Sequence, residues 1–173
     1  MSRITETGHT VLEGDGSFNF EVIVDANDLV VHRARATAWG GPSDPWDKGR
    51  TAAGVDTATY GDTILGCSLP QYGAGVSACS GSPIPKLHYG KVDADGKPIA
   101  DTVWVKVRVF SRKTGRQADC EVIDIGPAKP PRANAAIDLT TGTIRALGFY
   151  VDPNDFEDLV DFRIFDGASF LPG

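Results

Sequence analysis

A mostly-β fold follows from three features of the sequence. Val, Ile and Thr are frequent and long amphipathic runs are absent. Twenty Gly and eleven Pro break the chain into many turns. The segment TVWVKVRVF (residues 102–110) alternates apolar and polar side chains along its length, which is the period of a half-buried strand.

The elements can be placed in order. SFNFEVIV (residues 17–24) puts Phe18, Phe20, Val22 and Val24 on one face, a strand pattern bounded by the turn sequences EGDG and DAND. Residues 1–32 form an N-terminal β extension, an added hairpin or a docking arm for protein assembly, and residues 33–173 form one barrel domain. VVHRARATAW, ending at Trp39, opens that domain, and GGPSDPWDKGRTAAG (residues 40–54) is a loop. GCSLP leads into QYGAGVSACSGSPIP, a segment long enough to be functional or mobile. TVWVKVRVF, with Trp104 in its core face, turns through SRKTGR into the return strand QADCEVIDI (residues 117–125). TGTIRALG is a short helix, capped by Thr140 or Thr141 and stopped by Gly148. DLVDFRIF (residues 158–165) is the last strand.

Size and charge narrow the functions. A chain of 173 residues suffices for one domain with a core plus an extension. A net charge of −6, a pI of about 4.9 and the lack of a Lys/Arg cluster argue against a nucleic-acid partner. No segment has the length of a membrane span. The first residues lack the basic and apolar regions of a Sec signal. The expectation is cytoplasmic synthesis, followed by association with a virion or injection particle or another route to the envelope. The three cysteines, Cys67, Cys79 and Cys120, read as reduced, partly buried thiols, with a Cys67–Cys79 bridge as the alternative. No zinc spacing occurs, and no cofactor or metal is expected. Asp44 and Asp47 read as solvated turn acids, since the calcium-loop spacing is absent. His9 and His32 fit no constellation.

Four motifs occur in a specific order: ATAWGG (36–41), RTAAG (50–54), the hairpin VWVKVRVFSRKTGRQADCEVIDIGP (103–127) and AIDLTTGTIRALGF (136–149). Together they resemble the barrel of the rare-lipoprotein-A and expansin proteins, over residues 36–165. The resemblance implies a mostly-β chain built on a six-stranded double-psi β-barrel, with one or two short helices beside the N-terminal β extension. It also implies an open groove lined by an Asp pair and first-strand aromatics. Two departures stand out. Family enzymes carry a His before the Leu-Pro ahead of the central hairpin, where this chain has Cys67 and Ser68. Residues 71–86 look inserted, which makes His88 the candidate for that role.

The carboxylates carry the candidate chemistry. Glycosidic cleavage needs a proton for the leaving oxygen and stabilisation of an oxocarbenium-like transition state. Asp124 follows Val122-Ile123 and precedes Gly-Pro, so burial would raise its pKa and suit it as the acid. Asp138 stands just before the helix, whose dipole favours its ionised form by roughly 0.3–1 kcal/mol. In lytic transglycosylases of the resembled type the C6 hydroxyl of the sugar attacks, and one acid/base Asp suffices. The plain alternative is that both aspartates are turn formers or caps. Trp39, Trp46 and Tyr60 are candidates for stacking on sugar faces, and Thr37 and His88 for hydrogen bonding. Three functions fit: a peptidoglycan lytic transglycosylase-like enzyme, a non-catalytic binder of peptidoglycan or another polysaccharide, and a structural part of a phage tail or contractile injection apparatus that contacts the wall.

Overall fold

The computed structural model describes residues 2–47, 49–71, 79–87, 90–127 and 135–165. Nine strands and two short helices are present among them. The strands are β1 (Ser2–Ile4), β2 (Thr10–Leu12), β3 (Val22–Asp25), β4 (Asp28–Trp39), β5 (Gly66–Leu69), β6 (Lys106–Ser111), β7 (Gln117–Ile125), β8 (Ala135–Thr140) and β9 (Asp158–Ile164). The helices are α1 (Thr57–Tyr60) and α2 (Thr141–Ala146).

Six strands close a mixed barrel in the order β4-β8-β5-β7-β6-β9, with β9 returning to β4. The β4–β8 and β5–β7 pairs are parallel and the other four are antiparallel. This closed six-stranded arrangement matches the expected fold class and is consistent with a double-psi barrel. Closure leaves none of these strands as an open edge. The extension adds β1, β2 and β3 as an antiparallel sheet that pairs onto the first residues of β4, Ile23 opposite Val30.

The β6–β7 hairpin shows why the pattern folds this way. Val107, Val109 and Ser111 point inward, while Lys106, Arg108 and Phe110 point out. Val107 and Val109 join Val122, Ile137, Leu139, Val160, Phe162 and Ile164 in one core. Each such buried side chain contributes roughly 1.5–3 kcal/mol relative to exposure. Phe18 and Val22 are buried, and Phe20 and Val24 pack against the core, so the alternation expected for residues 17–24 holds although only Val22–Asp25 is strand.

One strand expectation needs correction. Residues 102–105 precede β6 and are not strand. Trp104 lies there half-buried, its indole covering Gly90 so closely that no Cβ fits. Helix α2 is as expected, capped by the Thr140 hydroxyl at Thr143 N, with Gly148 at φ 93° just beyond it. All three cysteines are buried, and no disulfide joins Cys67 to Cys79. The Cys67 thiol is instead hydrogen-bonded with Cys120, and burial first, then that contact, pushes its pKa up. Among the described residues no helix is long and apolar enough to cross a membrane.

Candidate functional site

The pairing register builds a row of four polar residues across the barrel wall. Ser68 on β5 is the partner of Asp124 on β7 and of Asp138 on β8. Asp138 is in turn the partner of Thr37 on β4. A register shift between Cys67 and Ser68 is what puts Asp124, rather than Ile123, opposite Ser68. A one-residue slip exchanges the faces of a strand, so this bulge decides which side chain the groove receives. Asp124 and Asp138 are two strand spacings apart, about 10 Å between backbones.

Each member of the row is held. Thr37 donates its hydroxyl to Asp138 Oδ1 at 3.0 Å. The helix cap next to Asp138 is provided by Thr140, so Asp138 is not the capping residue. Ser68 is 4% exposed and donates its hydroxyl to the Gly126 carbonyl at 2.9 Å, tying the floor of the groove to the Gly-Pro turn. Asp124 Oδ1 accepts the Ala52 N–H at 3.0 Å. Behind it, the buried Gln71 donates to the Asp124 carbonyl at 3.3 Å and accepts the Leu87 N–H at 3.1 Å.

Ser68, Asp124 and Asp138 floor an open groove of about 350 Å³. Its walls include Trp39, Trp46, Pro127 and Asn154. Trp46 is 80% exposed, which leaves an indole face to the solvent beside the carboxylates. The loop that carries it is organised by acids expected to be solvated, and here the structure corrects the sequence. Asp44 is 6% exposed. Its two oxygens accept the Gly40 N–H at 2.8 Å and the Trp46 N–H at 3.0 Å. Asp47 accepts the Thr57 hydroxyl at 2.6 Å, and Thr57 accepts the Trp39 indole N–H at 3.2 Å.

The electrostatics of Asp124 set it apart. Burial pushes its pKa up, and the negative charge of Asp47 adds to that. The N–H groups of Ala52 and Ile125 pull the other way without cancelling the rise. A half-buried carboxyl with a raised pKa in a cleft has the character of a general acid.

Asp124, Asp138, Trp39 and Trp46 therefore line one groove, and Thr37 reaches it through Asp138. Tyr60 does not join them. It lines a separate cleft with Arg50, Val92 and Asp95. His88 lies outside the described residues. Ser68, Asp47 and Asn154 line the groove without any signal in the sequence, since strand register and loop folding bring them there. Among the described residues no set of three His, Cys, Asp or Glu is placed to hold a metal ion. A scan against protein-family models finds no match, and a search of curated proteins finds no relative.

Proposed function

We propose that this barrel acts on cell-wall glycan, with the groove as its sugar site and Asp124 as the acid/base of a lytic transglycosylase-type cleavage. The observation that carries the reading is the raised pKa of Asp124 in an open, tryptophan-walled groove. In this reaction Asp124 gives its proton to the glycosidic oxygen as the C1–O bond breaks. The C6 hydroxyl of the same sugar then bonds to C1, and Asp124 takes the proton that hydroxyl releases. No water is consumed and the product is an anhydro sugar. Asp138, fixed by Thr37, supplies negative charge to the developing oxocarbenium ion. Trp46 offers a stacking face for an adjoining ring.

Binding without cleavage is favoured by one observation: two backbone N–H groups, of Ala52 and Ile125, support the ionised form of Asp124. Asp124 and Asp138 would then accept hydrogen bonds from sugar hydroxyls. Incubation with purified sacculi separates the two. Release of anhydro-muropeptides by the wild type, lost in Asp124→Asn, is the expected outcome. Sedimentation with sacculi and no product identifies a binding module. Neither binding nor product rejects the glycan reading.

A further inference from the structure

Ser68 stands at the centre of the groove floor, on the strand between Asp124 and Asp138. Residues paired across neighbouring strands point to the same face, and successive residues of one strand point to opposite faces. Cys67 pairs with Leu139, and both lie in the core. Ser68 pairs with Asp138, and both line the groove. Its side chain therefore points away from the core and into the same space as the two carboxylates. The strand spacing puts its backbone about 4.8 Å from that of each flanking strand.

The direction of its hydroxyl is fixed. A carbonyl oxygen can only accept, so the single hydrogen of Ser68 goes to the Gly126 carbonyl, 2.9 Å away. What the Ser68 oxygen offers the groove is lone pairs. Thr37, the next member of the row, has likewise committed its hydrogen, to Asp138 Oδ1 at 3.0 Å. Ser68 is only 4% exposed, so a ligand seated above it displaces the water that could otherwise satisfy the oxygen. A ligand atom with no hydrogen to give would leave that acceptor unpaired in a closed space, which costs affinity.

We infer that Ser68 is a specificity-determining residue of this groove, its oxygen accepting a hydrogen bond from a free hydroxyl of the sugar ring that lies between Asp124 and Asp138. This rests on the reading of the groove as a glycan site and names the substrate feature that its centre reads. The bond to Gly126 also holds the Gly-Pro turn, so the test separates recognition from support.

The probes are a short peptidoglycan glycan strand and the same strand O-methylated at one hydroxyl position at a time, titrated into the full chain and followed by amide shifts. In wild type, methylation at one position is expected to weaken binding about 2–10-fold and to erase the Ser68 amide shift while the Trp46 shift remains. In Ser68→Ala the unmodified strand should bind more weakly by a similar factor, and methylation at that position should cost nothing further. An equal loss for every strand, with the methylation penalty retained, shows that Ser68 only supports the turn and overturns the inference. A wild type in which no single methylation removes the Ser68 shift overturns it too, and that result does not depend on the variant folding. No perturbation by the unmodified strand at saturation would sink the glycan reading itself, and this assignment with it.

Discussion

Ala52 donates its backbone N–H to Asp124 Oδ1 across 3.0 Å, which fastens a turn early in the domain to a strand end 72 positions later. The turn is closed by the Gly54 N–H on the Thr51 carbonyl at 2.8 Å, so Ala52 occupies its second position. Proline is favoured at that position.

Ala52→Pro therefore keeps the turn and deletes one donor to the Asp124 carboxylate. The Asp124 titration should move to higher pH, since the Ala52 N–H is one of the groups that pull it down. The lost bond to a charged group costs about 1–3 kcal/mol at neutral pH, offset by about 0.4–1 kcal/mol from the stiffer unfolded chain. Carboxyl NMR and urea melts read the two effects. An unmoved Asp124 titration would show that the Ala52 bond does not hold the charge.

Asp124→Asn is expected to stabilise the fold at neutral pH while removing the acid. A carboxyl whose folded pKa is raised contributes its stability below the unfolded pKa of about 3.9. That contribution is lost as pH rises through the folded value, so wild type carries a penalty at pH 7. Asn has no charge to bury and still accepts the Ala52 N–H. A Tm gain of roughly 2–4 °C at pH 7, vanishing near pH 3, is the expected result. A lower Tm for the variant at pH 7 would contradict the raised pKa.

The fold class was legible because β6 and β7 carry the two-residue period over enough positions to fix both their state and their inward faces, as Val107 and Val109 show. Thr140 and Gly148 likewise marked the ends of α2 by local chemistry alone. The strand-end position of Asp124 could be read from the Gly-Pro that follows it. The role of Ser68 could not, because it depends on a bulge and on pairing with two strands far away in sequence. Asp44 is a turn acid, as its bonds to the nearby Gly40 and Trp46 N–H groups show, but its burial was not legible, and the Thr57 partner of Asp47 is met only when the loop folds back on α1. Tyr60 looked like a groove aromatic, yet it ends α1 and lines the separate cleft with Arg50.

Gly61→Ala tests the wall of the groove. A Cβ at Gly61 would lie 2.5 Å from the Thr57 carbonyl oxygen, 2.6 Å from Gly41 N and 2.7 Å from the Gly40 carbonyl carbon. These are backbone atoms, so α1 and the Gly40–Gly41 turn must separate. The expected cost is about 1–3 kcal/mol in a chemical melt. The Trp39–Thr57–Asp47 chain should loosen with it, seen as a changed indole N–H resonance of Trp39. A variant as stable as wild type would refute the close packing.

Asp161 anchors the bulge in the middle of β4. It accepts the Arg33 N–H at 2.9 Å, where Arg33 adopts φ 51° at a strand bulge, and a two-pronged bond from Arg112 at 2.7 and 3.0 Å. Burial pushes the Asp161 pKa up, but Arg112, the Arg33 N–H and the nearby His32 outweigh it and hold the group below the usual range. Its stability contribution is thus present above the unfolded pKa of about 3.9 and is lost as pH falls through the folded value. Asp161→Asn should cost about 1–3 kcal/mol at pH 7, with the difference from wild type shrinking in strongly acidic buffer. A gap that persists unchanged at low pH would mean that charge is not what Asp161 contributes.

Amide chemical-shift mapping with a short peptidoglycan glycan strand tests the central claim most directly. The groove account predicts perturbations concentrated at Trp46, Ser68, Asp124, Ile125, Gly126, Asp138 and Asn154, retained in the inactive Asp124→Asn. Perturbations confined to the Tyr60–Arg50 cleft, or none at saturating glycan, would contradict it.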